Sequence, residues 1–399
     1  MSSRKVRLAL LSDLHAYHPP QGYGKAGPSY LPANPSGSDP DPFRNLNELI
    51  EREKLRADIV LCAGDICDRA DFRGFQYAWI KLNELKSKIG AQALIATCGN
   101  HDLNSRLIEA EEDPDPKGAL QTATPEFPFE ERSLSDHFWA RNFTIVTPMP
   151  EITVVVLNTS AYHGSESDEI NHGRVSQRTI AAIERELRNF PKVADINILL
   201  CHHHVRQLKG LWGTIPDTDF MMKGSELLNM LTRCTASPWL VLHGHRHVPN
   251  LEHSIDPSFV IVGASSFSKQ IQGRLNQFHM LDVDVDYGVP QPLRGTITTW
   301  SWNATGRWQQ QSISNDDEGF PPNCGFGSVF APRTLATEIE NAFEQDQDYI
   351  QWQDLVKRIP DLEFMTPDNF RLLEEVLQQH GINLQRDRMG RVSQVGRST

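Results

Sequence analysis

Five short apolar runs in this chain each lead into a cluster of side chains able to bind a metal, and this recurrence constrains the fold more than any other property. Leu8 to Leu11 leads into Asp13-Leu14-His15, and Ile59 to Cys62 into Gly64-Asp65-Ile66-Cys67-Asp68. Ala93 to Ala96 leads into Gly99-Asn100-His101-Asp102, Ile198 to Leu200 into His202-His203-His204, and Leu240 to Leu242 into Gly244-His245-Arg246-His247. Short apolar runs bounded by polar residues read as strands buried on both faces, the kind found in α/β proteins. Each cluster then falls at the carboxyl end of a strand, where open α/β sheets bind their ligands. One such cluster means little; five at strand ends argue for a single site assembled by the fold.

The rest of the pattern agrees with an α/β chain. Helical spacing covers 46–56, 75–89, 176–188 and 225–234, and strands are expected at 144–146, 152–158 and 239–243. From 260 to 311 the chain becomes strand-rich, with alternation through Thr296 to Trp302. Two irregular segments, 16–45 and 103–135, leave the predicted site directly and are expected to be substrate-side loops. Residues 1–313 are read as the catalytic unit, 314–330 as a linker and 331–399 as a helical C-terminal region. That last region is a candidate for binding a protein partner or for self-association.

With 399 residues the chain has ample core. No run approaches the roughly 18 apolar residues needed to span a membrane. A cleaved secretory signal would take Asp13 and His15 with it, and no C-x-x-C pair occurs, so a reducing, cytoplasmic location is expected. A formal net charge of −12 disfavours nonspecific binding to a long polyanion. It leaves a nucleic-acid substrate open, because bound cations invert local charge.

Carboxylate, amide and imidazole without thiolate suit Mn, Fe, Zn, Co or Ni rather than a cysteine-type structural zinc, and Mn or Fe is favoured among them. Two ions about 3.5–4 Å apart are a recurring device for phosphate ester hydrolysis, and they need a carboxylate between them. Asp65, with Gly64 before it, is the expected bridge. Residues i and i+2 of a strand share a side, so Asp13 and His15 are expected to grip one ion together. His245 and His247 share a side likewise and are free to serve different ions.

These five clusters resemble, in order, the D-x-H, G-D-x-x-D, G-N-H-D/E, late-His and G-H-x-H motifs of the calcineurin-like metallophosphoesterase superfamily, over Val6 to Ser312. Leu157-Asn158-Thr159-Ser160, Gly173-Arg174-Val175 and the strands around Trp302 and Trp308 are similar to its cyclic-nucleotide-phosphodiesterase branch. The resemblance implies a four-layer α/β/β/α sandwich with a small C-terminal helical appendage. It implies two divalent transition-metal ions, one held by Asp13, His15, Asp65 and His247, the other by Asp65, Asn100, His202 and His245. His203 is the alternative to His202, because the usual proline after the late histidine is replaced by a third histidine and Val205. His101 would act on the phosphoester as the catalytic histidine, oriented by Asp102, and a metal-bridging hydroxide would attack phosphorus.

The expected activity is hydrolysis of a nucleotide-class phosphodiester. A nuclease, a phosphomonoesterase (protein phosphatases included) and a metal-binding interaction scaffold are the alternatives. Around the site, Tyr17 and His18 are candidate substrate contacts, and Arg69 and Arg246 are either phosphate contacts or salt-bridge residues. His163 is expected at the solvent-exposed rim, and Trp300, Trp302 and Trp308 in sheet packing.

Overall fold

The computed structural model describes residues 4–19, 27–35, 40–105, 115–164, 171–190, 194–208, 217–253, 259–285, 293–311 and 319–397. Two sheets face each other. The first is built on three parallel strands, β1 (Arg4–Leu11), β2 (Ile59–Cys62) and β3 (Ala93–Ala96). The second contains β4 (Phe143–Met149), β5 (Ile152–Leu157), β6 (Ile196–Leu200), β7 (Trp239–His243), β8 (Asn250–His253) and β9 (Phe259–Gly263) in the order β4-β5-β6-β7-β9-β8. The first sheet is completed by antiparallel β10 (Gln277–Val285), β11 (Gly295–Trp302) and β12 (Trp308–Gln309), in the order β12-β11-β10-β1-β2-β3.

Alternation along the strands divides the core. Ile196, Ile198 and Leu200 of β6, with Leu240 and Leu242 of β7, point into the central core shared with the first sheet. Leu199 of β6, with Trp239 and Val241 of β7, points outward to α5 (Gln177–Arg188) and α6 (Gly224–Cys234). On the far side of the first sheet lie α1 (Pro42–Glu53) and α2 (Phe72–Ile89), whose Phe43, Leu46, Phe75 and Trp79 join the central core. The layers are therefore α/β/β/α, as expected. The helices start where cap chemistry dictates. Asp41 accepts from the Phe43 and Arg44 amides before Pro42 at the first helical position, and Asp71 does the same for Arg73 and Gly74.

The antiparallel register decides what reaches the site. Leu10 pairs with His279 and Arg4 with Val285, so the connection 264–276 between β9 and β10 lies at the end of the sheet where β1 delivers Asp13. The opposite end carries the C-terminal region. Residues Asn323–Phe326, inside the segment expected to be a linker, form β13 and pair with the start of β11, Gly295 with Phe326 and Thr296 with Gly325. Phe326, the register partner of Gly295, is fully buried, so the segment belongs to the sheet. The Gly325 amide donates to Met365 O (2.9 Å), the Ser328 amide to Phe364 O (3.1 Å), and the Arg294 guanidinium lies over the Phe364 ring.

The C-terminal region has its own core of Leu335, Ile339, Ile350, Leu355, Leu373, Leu377 and Val395. It comprises α7 (Pro332–Asn341), β14 (Tyr349–Gln351), α8 (Trp352–Arg358), α9 (Pro367–Gln379), β15 (Ile382–Arg386) and β16 (Val392–Arg397). The helices match the reading of the sequence. The three-stranded sheet β14-β16-β15, in a region expected to be helical, does not.

Of the two expected substrate-side loops, 20–26, 36–39 and 106–114 lie outside the described residues, as do 312–318 of the expected linker. Much of the second loop is packed inside. Phe127 sits edge-on to Phe75 and Trp79, and the Trp79 indole donates to Pro125 O, so α2 buries this stretch along with short α3 (Gly118–Gln121), ahead of α4 (Arg132–Arg141). Among the described residues no helix is long and apolar enough to cross a membrane.

Candidate metal centre

All seven expected ligands converge between the two sheets. Asp13 Oδ1 lies 3.1 Å from His247 Nε2, which lies 3.1 Å from His15 Nε2. His15 Nε2 is 3.6 Å from Asp65 Oδ2. The same Asp65 oxygen is 3.4 Å from His202 Nε2, and Asn100 Oδ1 is 3.1 Å from His202 Nε2 and 3.2 Å from His245 Nδ1. Asp65 thus faces two groups of donors with one oxygen, while its other oxygen accepts the His101 amide at 2.7 Å.

Strand-end parity does not produce this geometry. Asp13, His15, Asp65, His245 and His247 all have positive φ, between 48° and 77°, and lie beyond their strands. Left-handed backbone at non-glycine residues is uncommon and strained, and it persists where the surrounding structure over-determines it. Hydrogen bonds between the loops do so here: Asp13 N to Gly64 O and His15 N to Asp65 O, both 3.0 Å, and the His245 amide to the Asp13 carboxylate. The motif glycines are needed for close approach. A Cβ on Gly99 would stand 2.2 Å from Asp65 Oδ1, and one on Gly244 1.9 Å from Ser12 Oγ and 2.4 Å from Asp13 Oδ2.

The donor set fits a pair of cations. His202 Nδ1 faces the Ala63 carbonyl at 2.8 Å and therefore carries the proton, which turns an Nε2 lone pair toward Asp65 and Asn100 oxygens. His15 Nδ1 likewise faces Asp68 Oδ1 at 3.1 Å, which turns its Nε2 toward His247 Nε2. Acceptors buried face to face demand positive charge between them. The titration of the metal-free groups expresses the same demand. Burial alone would lower the His202 pKa, yet Asp65 and Asp13 carry it up to about 9. Burial works against Asp65 as well, but His202 and His101 hold its carboxyl well below the usual range. His15, where burial prevails over Asp68, falls to about 3. Two ligand clusters consistent with a dinuclear metal site are therefore present, Asp13/His15/Asp65/His247 and one built on His202 and His245.

His203 joins the second cluster, with its Nδ1 2.8 Å from Thr159 Oγ1 and its ring 4.3 Å from that of His245. The structure places His202, rather than His203, against Asp65 and Asn100.

Asp102 does something other than expected. Its two oxygens accept the Cys67 and Gly99 amides, each at 2.8 Å, so it ties two site loops together. Burial, reinforced by the charge of Asp65, pushes its carboxyl up to about 7. The carboxylate beside His101 is Asp68, with Oδ1 3.3 Å from His101 Nδ1. That oxygen also faces His15 Nδ1 and, at 2.7 Å, Lys269 Nζ, a residue that no pattern in the sequence singles out.

Of the rim candidates, Arg246 pairs with Asp219, Arg69 is largely exposed with its Nε 4.0 Å from Asp68, and the His18 amide donates to Asp71. His163 is buried instead of exposed, with Nδ1 3.2 Å from Ser105 Oγ and Nε2 3.0 Å from His172 O. Trp300, Trp302 and Trp308 are buried in sheet packing, as expected; the Trp308 indole donates to Pro42 O.

The family model for calcineurin-like phosphoesterases matches residues 6–261, and the chain belongs to that family. Fold and clusters together define a metal-dependent phosphoesterase centre. A second model, for a calcineurin-associated winged helix–turn–helix, matches 324–379, the region of β13 and α7 to α9. No curated protein matches the chain by sequence. Among solved structures, the chain is similar to a dimetal phosphatase from Danio rerio (12% identity, TM-score 0.46, 74% of this chain and 95% of that one). It is also similar to a purple acid phosphatase from yellow lupin seeds (11% identity, TM-score 0.45, 82% and 54%) and to a putative 5'-nucleotidase from Staphylococcus aureus (13% identity, TM-score 0.44, 79% and 57%).

Proposed function

We propose that the chain hydrolyses a phosphodiester of the nucleotide or cyclic-nucleotide class, using Asp13, His15, Asp65 and His247 for one divalent ion and Asp65, Asn100, His202 and His245 for the other. The observation that carries the dinuclear reading is the single Asp65 oxygen 3.6 Å from His15 Nε2 and 3.4 Å from His202 Nε2. When bound, two such ions supply Lewis acidity toward the phosphoryl oxygens and a water activated near neutral pH.

The protein's own groups do the rest. His101 is half-buried and stands beside the ligands with Nδ1 3.3 Å from Asp68. Its role is to give a proton to the leaving oxygen as the P–O bond breaks. Asp68 holds the ring, and Asp102 holds the loops that carry Asp65 and His101. The net charge of −12 favours a small nucleotide ester over a long polyanion, and the likeness of 157–160, 173–175 and the Trp302 and Trp308 strands to the cyclic-nucleotide branch points the same way.

The test is a substrate panel on Mn-loaded protein: bis(4-nitrophenyl) phosphate, 4-nitrophenyl phosphate, cyclic nucleotides and single-stranded oligonucleotides. Preference for the diesters and turnover of a cyclic or short nucleotide support the proposal. Faster turnover of the monoester, or activity confined to oligonucleotides, overturns the substrate class. No turnover at all overturns the enzymatic reading.

A further inference from the structure

We infer that Lys269 is a positioning residue for the reaction, its ammonium group holding the Asp68–His101 pair in register; this rests on the phosphoesterase reading above. Lys269 lies in the 264–276 connection, which crosses from the second sheet to the first directly at the site. That connection is tied to the loop carrying the first ligands. The Phe267 amide donates to Ser12 O (2.8 Å), Ser266 Oγ to Asp13 O (2.7 Å) and the Ser268 hydroxyl to Leu14 O. Lys269 itself is fixed from both sides of its peptide. Its amide donates to Ser266 Oγ (2.8 Å), its carbonyl accepts from Asn276 Nδ2 (2.9 Å), and it bridges to Ser29. The side chain therefore starts from an immobile backbone and ends, four-fifths covered, 2.7 Å from Asp68 Oδ1.

That oxygen is crowded. His15 Nδ1 stands 3.1 Å from it and His101 Nδ1 3.3 Å. A carboxylate oxygen offers about two in-plane lone-pair directions, and here two imidazole nitrogens and an ammonium crowd it, while His101 Nδ1 also accepts the Arg69 amide at 3.3 Å. One of the imidazoles belongs to the metal cluster and the other to the proton donor. Without a third anchor, Asp68 is free to turn toward either ring and release the other. The ammonium removes that freedom. It sits on a stem whose backbone is hydrogen-bonded on both sides, independent of whether the ions are present. Carboxylates that orient a histidine are themselves held by such outer contacts.

The proton balance is simple. Water oxygen bonds to phosphorus, the P–O bond to the leaving group breaks, and its electron pair stays on the leaving oxygen, which takes the proton from His101 Nε2. The proton lost by water goes to solvent, from which His101 is recharged. Lys269 takes no part in the proton transfer. The contribution of Lys269 is thus orientation, and it matters most when the leaving oxygen needs the proton.

That dependence is the test. Full-length Lys269→Met, Lys269→Gln and Lys269→Arg are loaded with Mn and assayed on methyl 4-nitrophenyl phosphate and methyl phenyl phosphate, with His101→Ala as reference. Both uncharged variants are expected to bind the same Mn as wild type. They should lose about 10-fold or more in kcat on the phenyl ester but less than about 3-fold on the nitrophenyl ester, with KM little changed, as fits a defect in general acid catalysis. Lys269→Arg should recover most of kcat. Equal losses on the two esters, a change in KM alone, loss of Mn or no recovery by arginine would overturn the inference. If wild type cleaves the esters and His101→Ala shows the leaving-group dependence but the Lys269 variants do not, this inference alone fails. If wild type cleaves neither, the phosphoesterase reading fails with it.

Discussion

The imidazole Nδ1 of His202, delivered by the second sheet, lies 2.8 Å from the carbonyl oxygen of Ala63, at the end of the first. This one contact fixes the tautomer of a ligand and joins the two sheets at the point where Asp65 turns in. Metal-binding histidines are commonly oriented through the ring nitrogen that does not bind the ion. Here the orienting group is backbone, so no side-chain substitution can remove it without moving β2.

Because one Asp65 oxygen faces both donor clusters, Asp65→Ala is expected to cost both ions together. Metal analysis of the purified variant after Mn loading and gel filtration should give well under one ion per chain. Two retained ions would contradict the bridge.

Ion binding should expel a proton. In the metal-free centre burial pulls the His202 pKa down, but Asp65 and Asp13 raise it to about 9, so at pH 7 the Nε2 position is protonated. A ligand must be deprotonated to bind. A raised pKa stabilises the metal-free fold below the unfolded value of about 6.5, and that contribution fades as pH rises through about 9. Mn affinity should therefore increase from pH 7 toward 9. Calorimetric titrations at pH 7 in two buffers of different ionisation heat should report release of at least one proton per chain; identical heats in both would refute this.

Gly99→Ala places a carbon 2.2 Å from Asp65 Oδ1 and 2.5 Å from Asp65 N, one of them a backbone atom with nowhere to go. The fold is expected to lose about 1–3 kcal/mol in denaturant melts, and metal occupancy to fall with it. Wild-type occupancy in this variant would show that the loop has slack the structure does not reveal.

Much of this was legible in the sequence, for physical reasons. Ile59 to Cys62 and Ile198 to Leu200 read as strands because they are buried on both faces. The ligands stood out because carboxylate, amide and imidazole recur just after such runs. Other features left no such trace. Asp102 looked like the partner of His101, its neighbour in the chain, but loop geometry turns it onto the Cys67 and Gly99 amides. Its place is taken by Asp68. Lys269 reaches Asp68 across 201 positions of sequence, and no local pattern marks it. Asp13 and His15 meet through left-handed turns, where strand parity has no force. β14 is three residues long with only Ile350 buried, too short to show alternation, so the sheet of the C-terminal region was invisible.

The C-terminal region packs on the sheet through β13 and Arg294, at the end remote from the metal centre, and it has a separate core. Leu373→Ala, at a fully buried position of that core, should destabilise it by about 2–5 kcal/mol. Hydrogen exchange is expected to accelerate across 332–397, with protection of β1, β2 and β6 and the Mn content unchanged. Loss of bound Mn would show coupling between the two ends.

The most direct measurement is anomalous diffraction from crystals of the Mn-loaded protein. Two peaks about 3.5–4 Å apart, one on each side of Asp65 Oδ2, are predicted. A single peak, or peaks that do not share Asp65, would contradict the account.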